Sequence, residues 1–171
     1  MQAELHVVAW SGMGVVRNYG DVNQMSKDPM PHYYNRTIAT IPASSDTTDP
    51  YYWKPSNFEA DIVLVMLGTN DYSTQPAPSD DQFVNGLVDL LTTIIRDYPR
   101  AKGHIAAMCA PMAAGNQCAN IKAATQQVGV NYVFIDPDTI VGYGCDGHPD
   151  QATQQLMAGV VTPAVKEMLG L

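Results

Sequence analysis

Four short apolar runs punctuate the chain. Leu5 to Trp10 is rich in valine and bounded by polar residues. "DIVLVMLG", Asp61 to Gly68, is apolar on both alternating faces. "HIAAMCAP" and "NYVFID" follow, the first stopped by Pro111 and the second by Pro137. Runs of this length and composition predict buried strands. A strand apolar on both faces belongs inside a parallel sheet, where helices cover each side. Between the runs the apolar period lengthens. Phe83, Leu87, Leu90, Leu91, Ile94 and Ile95 recur at helical spacing, with Ser79 and Gln82 placed as a capping box. That helix should stop near Pro99. Ile121 to Val128 predicts a shorter helix ended by Gly129. Asp150 can cap a last helix toward Leu169, which Pro163 is expected to bend or break.

Strands alternating with helices predict an α/β fold, a three-layer doubly wound parallel sheet. The 171 residues suffice for one domain, 1–171, and are too few for two ordinary ones. The stretch from Gly20 to Ala60 differs. It is rich in Pro, Ser, Thr, Asp and Tyr and shows little periodicity. It reads as a short helix near "MPHYYNRTI" and then a long loop, "PASSDTTDPYYWKPSNFEA". Loops of this length tend to carry function. No internal repeat is visible.

Composition narrows the partners. With 46% hydrophobic residues the chain is a folding one. A net charge of −8 argues against nucleic acid, whose phosphates need clustered Lys and Arg, and against an anionic membrane surface. No apolar run approaches the length of a membrane span. No secretory signal is visible, which leaves a cytosolic chain or one already processed or truncated. "NRT" at Asn35 to Thr37 fits a glycosylation sequon, a triplet common by chance. The three cysteines, Cys109, Cys118 and Cys145, leave at least one thiol unless another chain supplies a mate. The expected bridge is Cys118 to Cys145, steadying the loop that carries His148; Cys109 to Cys118 is the competing pairing. A disulfide fits an extracellular or extracytoplasmic location.

In open α/β sheets ligands collect at the carboxyl ends of strands. Three polar stretches fall there: "SGMG" after Trp10, "GTND" from Gly68 to Asp71, and "GCDGHP" from Gly144 to Pro149. Their chemistry is complementary. His148 can act as a general base at neutral pH. The Asn70 amide and the Gly12 backbone N–H are two donors suited to an oxyanion hole. A serine within reach of His148, such as Ser11, would complete an acyl-transfer site. Taken singly, each stretch is also an ordinary turn or helix entry; their joint placement is what favours function.

These stretches resemble the SGNH (GDSL-type) hydrolases, and more finely carbohydrate esterase family 2, the acetylxylan-esterase-like enzymes. "AWSGMGVVRNYGD", "MPHYYNRT", "DIVLVMLGTNDYST" and "GCDGHP" match that family's runs in the family's order, over nearly the whole chain. In the family the nucleophile lies in a "GDS" run ending the first strand, and "SGxG" belongs to the second. No "GDS" occurs here, so the chain looks like a member that begins at the second strand. The resemblance implies that Gly12 and Asn70 form the oxyanion hole, that His148 is the base, and that Ser11 is a neighbour of the hole. Ser11 as a replacement nucleophile stays open, because it ends a strand at the active edge. The wider superfamily has Asp three residues before this His, where Cys145 stands here. The resemblance therefore implies a Ser–His dyad with the imidazole oriented by backbone carbonyls; Asp146 as a third member is the lesser alternative. Asp71 is expected to hold the loop's shape, and Arg17 to pair with a carboxylate or carbonyls. Tyr51, Tyr52 and Trp53 can stack on sugar rings or simply anchor their loop.

The expected function is a carbohydrate O-acetyl esterase acting on acetylated polysaccharide or small acetyl esters, with no metal or organic cofactor. The rival is a carbohydrate-binding domain without turnover, and a truncated chain with no role of its own is the third reading. Without a first strand, Leu5–Trp10 and Asp61–Leu67 should flank a gap. The gap is relieved if the two pair, if a second copy lends a strand, or if a separate peptide inserts; a homo-oligomer is the expectation.

Overall fold

Three parallel strands form the centre of the computed structural model, which describes residues 3–41, 46–109 and 111–171. They are β1 (Val63–Val65), β2 (Ile105–Cys109) and β3 (Asn131–Phe134), in spatial order β1-β2-β3. Val63 lies opposite Ile105, and Ala106 opposite Asn131. The helices are α1 (Met30–Tyr33), α2 (Thr69–Tyr72), α3 (Asp80–Asp97), α4 (Gln117–Val128) and α5 (Gln151–Met168).

β2 is buried at all five positions because both its faces are covered. Ile105, Ala107 and Cys109 share one core with Val65 of β1, Phe83, Leu87 and Leu91 of α3, and Ile121 of α4. Ala106 and Met108 point the other way and, with Val133, meet Val161, Ala164 and Met168 of α5. Alternation along one strand thus builds three layers, α3 and α4 on one side and α5 on the other. This is the expected α/β architecture.

The helix signals locate the helices well. Ser79 Oγ accepts from Gln82 N at 3.2 Å, and Gln82 Oε1 accepts from Ser79 N at 2.9 Å. This reciprocal cap contributes about 1 kcal/mol. α4 begins at Gln117, earlier than its apolar period suggests. Asp150 caps α5 through Thr153 N at 2.8 Å. Pro163 does not break α5, which runs on to Met168. The carbonyl that loses its partner there belongs to Gly159, which is exposed and has nothing for a proline ring to crowd but backbone. Packing of Val161, Ala164 and Met168 holds the helix on both sides of the proline.

The first expected strand is the main difference. Leu5–Trp10 joins no ladder among the described residues, and Leu5 is 82% exposed. β1 is shorter than its apolar run and lies at the sheet's edge. A strand needs a hydrogen-bonded neighbour, and a cavity of about 1200 Å³ separates these two segments. Leu5–Trp10 is held by its rings instead. His6 stacks on Trp53 with centroids 4.5 Å apart, and Trp10 faces Tyr33 at 6.2 Å. Among the described residues no helix is long and apolar enough to cross a membrane.

Candidate active site

The "SGMG" and "GTND" loops are clamped together by buried polar groups. Asp71 is fully buried, and its carboxylate accepts from the backbone N–H groups of Val15 at 2.8 Å, Val16 at 2.8 Å and Arg17 at 2.9 Å. Burial pushes its carboxyl above the usual range, and the three N–H donors pull it back. Arg17, buried as well, answers from the other loop. Its guanidinium donates to the carbonyls of Thr74 and Pro76, both at 2.6 Å, and to that of Asp21. Carbonyls, not a carboxylate, are therefore its partners. Gly14 sits inside this clamp, where a Cβ would collide with the Arg17 carbonyl.

The clamp positions Asn70 and Gly12, the two donors expected from the sequence. Asn70, in the first turn of α2, gives one Nδ2 hydrogen to the Met13 carbonyl at 2.8 Å. The second hydrogen remains for the cavity that Asn70 lines. Gly12, with φ +78°, turns its carbonyl toward Tyr19 N at 2.8 Å, while its own N–H has no partner among the described residues. Gly68 precedes α2 with φ +117°, and a Cβ there would lie 2.8 Å from Gln117 Nε2.

His148 reaches the same cavity from the far loop. It follows a tight turn, Cys145–Gly147, in which Asp146 takes a left-handed φ of +52°. The turn is closed by Gly144 N donating to the His148 carbonyl at 2.7 Å. It is moored to α5 by Thr153, a buried hydroxyl that accepts from Val141 N and Gly142 N and donates to the Gly142 carbonyl at 3.0 Å. The ring's Nδ1 lies 3.2 Å from the Cys145 carbonyl. A carbonyl only accepts, so Nδ1 carries the proton and Nε2 is left with a lone pair able to accept one. No hydrogen bond or ion pair joins Asp146 to His148 among the described residues; the imidazole is oriented by a backbone carbonyl.

Ser11, Gly12, Asn70, Asp146 and His148 line one cavity, but Ser11 is exposed and makes no hydrogen bond to His148 among the described residues. Ser73 also lines it, with its hydroxyl committed to the Asn70 carbonyl at 2.7 Å. Tyr51, Tyr52 and Trp53 do not line this cavity. Trp53 faces a smaller one behind Leu5–Trp10, together with Tyr33 and Arg36. Trp10 and Tyr19 line the larger cavity, as do Tyr34, Phe58 and Tyr98. Trp10 carried a signal, since it stands directly before "SG". Thr153 and Tyr19 had none.

The expected Cys118–Cys145 disulfide does not form. Cys109 pairs with Cys118, their Cα atoms 5.3 Å apart, and Cys145 is a free, exposed thiol. Cys109 ends β2 and Cys118 opens α4, so the fold brings them side by side. Cys145 lies in the turn before His148. Among the described residues no group of three or more His, Cys, Asp or Glu side chains could hold a metal ion.

No family model matches the chain. It is 33% identical to the cellulase/esterase CelE of Acetivibrio thermocellus, over 99% of this chain and 20% of that protein. It is 22% identical to an acetylxylan esterase/glucomannan deacetylase of Cellvibrio japonicus, over 99% of this chain and 46% of that one. Among solved structures it is similar to a family two carbohydrate esterase from Clostridium thermocellum in complex with cellohexaose. The TM-score there is 0.76 at 30% identity, over 94% of this chain and 49% of the other. An acetyl xylan esterase from the rumen bacterium Butyrivibrio proteoclasticus shares the fold, with a TM-score of 0.72 at 15% identity, over 93% of this chain and 50% of that one. The chain thus spans half or less of the length of the relatives it matches.

Proposed function

From this chain's similarity, along nearly its whole length, to family 2 carbohydrate esterases, we propose that it is a carbohydrate O-acetyl esterase domain using serine-type acyl transfer. The observation that supports the reading is that Gly12, Asn70 and His148 line one cavity. A hydroxyl oxygen attacks the acetyl carbonyl while Nε2 takes its proton. The two donors hold the oxyanion, worth several kcal/mol in such sites. The tetrahedral species collapses, the sugar oxygen leaves with the proton from His148, and water repeats the cycle to release acetate. Nothing in this sequence of steps requires a metal or organic cofactor.

The substrates are acetylated polysaccharide or small acetyl esters, and Trp10 and Tyr19, which line the cavity, offer rings on which a sugar can stack. Work on polysaccharide goes with an extracytoplasmic location. Ser11 is the hydroxyl next to Gly12; as it stands apart from His148, the nucleophile is either Ser11 after the loop moves or a serine brought into the cavity. The test is release of acetate from acetylated xylan and p-nitrophenyl acetate, compared with His148→Ala. Turnover that depends on His148 supports the enzyme. Saturable binding of acetylated xylan without turnover supports the second reading, a carbohydrate-binding domain, which the lack of a Ser11–His148 hydrogen bond among the described residues favours.

A further inference from the structure

Among the described residues, every hydrogen bond that ties 141–149 to the rest of the chain ends at the start of α5. Residues 143–148 are exposed throughout and add no side chain to either core. The loop is stitched to itself by Gly144 N donating to the His148 carbonyl and by a bridge between Tyr143 and Pro149. A loop with no buried side chain opens at low cost unless polar bonds close it. His148 therefore stands on an arm whose place depends on a few such bonds.

Most of them belong to one hydroxyl. Val141 N and Gly142 N donate to Thr153 Oγ1 at 3.1 and 3.2 Å, and Thr153 Oγ1 donates to the Gly142 carbonyl at 3.0 Å. A threonine hydroxyl has one hydrogen to give and two lone pairs to accept with, and all three are engaged here. Thr153 is fully buried, which keeps water from taking over these bonds. The remaining tie is Asp150 N, which donates to the same Gly142 carbonyl at 3.1 Å. Asp150 is itself held by Thr153, whose N–H donates to Asp150 Oδ1 at 2.8 Å. Gly142 fits against this anchor because it lacks a side chain; a Cβ there would collide with Asp150 Oδ2. Thr153 does not line the cavity, so it touches no group bound there.

We infer that Thr153 is a positioning residue for His148. Its hydroxyl fixes Gly142 on α5, and Gly142 fixes the arm that leads through the Cys145–Gly147 turn to the imidazole. The Cys145 carbonyl accepts from His148 N at 3.1 Å and lies 3.2 Å from Nδ1. That contact sets which ring nitrogen carries the proton. The consequence for turnover rests on the proposed esterase function; the effect on the imidazole does not.

Thr153→Val keeps the branched shape and removes the hydroxyl, whereas Thr153→Ser keeps the hydroxyl. With p-nitrophenyl acetate, and rates expressed per folded molecule from circular dichroism, Thr153→Val should lower kcat by roughly tenfold to a hundredfold, the scale of a misplaced catalytic group, while KM stays within about twofold. Thr153→Ser should match the unaltered protein in both. Long-range proton–nitrogen NMR of the neutral His148 ring should place the proton on Nδ1 in the unaltered protein and in Thr153→Ser, and show mixed tautomers in Thr153→Val. An unchanged kcat per folded molecule with the proton still on Nδ1 overturns the inference and leaves Thr153 a residue of stability alone. A raised KM with unchanged kcat overturns it too, since the hydroxyl would then act on binding. If Thr153→Val yields no folded protein, Gly142→Ala disturbs the same anchor from the loop side. It should lower kcat and mix the tautomers alike, and an unaltered rate and ring would sink the inference. Should the unaltered protein hydrolyse no acetyl ester, the esterase reading fails and the tautomer comparison alone decides the anchor. Hydrolysis that Thr153→Val leaves intact keeps the esterase and removes the anchor.

Discussion

Asn70 holds Met13: its Nδ2 donates to the Met13 carbonyl at 2.8 Å across 57 positions of sequence. One side chain thereby fixes the loop that presents the Gly12 N–H and keeps a second hydrogen for the cavity. Asn70→Ala should remove both. Acetyl-ester hydrolysis should fall roughly a hundredfold or more, the scale of a lost oxyanion donor. Circular dichroism should show the fold intact. An unchanged rate would take Asn70 out of the site.

Ser11 and His148 predict different outcomes. His148→Ala should cost on the order of 10²–10⁴ in rate, as for a lost general base. Ser11→Ala should leave the hydrolysis that remains with any other nucleophile, because Ser11 makes no bond to the imidazole. Steady-state kinetics on p-nitrophenyl acetate decide. If Ser11→Ala is as damaging as His148→Ala, Ser11 is the nucleophile.

Asp71→Ala would strand the buried N–H groups of Val15, Val16 and Arg17. Each buried unsatisfied group costs about 1–3 kcal/mol, so the loss should reach roughly 3 kcal/mol or more. Urea unfolding measures it. A change below about 1 kcal/mol would mean that water replaces the carboxylate and that the clamp is dispensable.

The Cys109–Cys118 bridge closes a loop with a sequence separation of 9. Chain entropy predicts that Cys118→Ser destabilises by roughly 2–3 kcal/mol. Non-reducing peptide mapping should recover the Cys109–Cys118 peptide pair, and Cys145 should alkylate without unfolding. A Cys118–Cys145 pair in that map would refute the assignment.

Much of this molecule is written in local pattern. The helix from Asp80 is set by the spacing of Phe83, Leu87 and Leu91 and by the Ser79–Gln82 cap. The strands at Ile105 and Asn131 follow from short apolar runs, and the central one, β2, is buried at every position. "SGMG", "GTND" and "GCDGHP" could be assigned to one edge because parallel topology gathers the strand ends there. The expected resemblance to family 2 carbohydrate esterases rested on the same runs.

What the chain could not disclose locally depends on distance in space. Leu5–Trp10 has the composition of a strand, yet a strand exists only with a hydrogen-bonded neighbour, and the cavity beside β1 leaves it without one. Three cysteines permit three pairings, and only the approach of the end of β2 to the start of α4 selects Cys109 with Cys118. Pro163 reads as a helix break until the packing of α5 on the sheet outweighs one lost hydrogen bond. Tyr51, Tyr52 and Trp53 are fit either to stack on sugar or to anchor their loop, and only the packed chain shows Trp53 stacked on His6 beside the smaller cavity. Composition and period act over a few neighbouring residues; pairing, disulfide choice and cavity lining are decided by contacts between residues far apart in sequence, which exist only once the layers have packed.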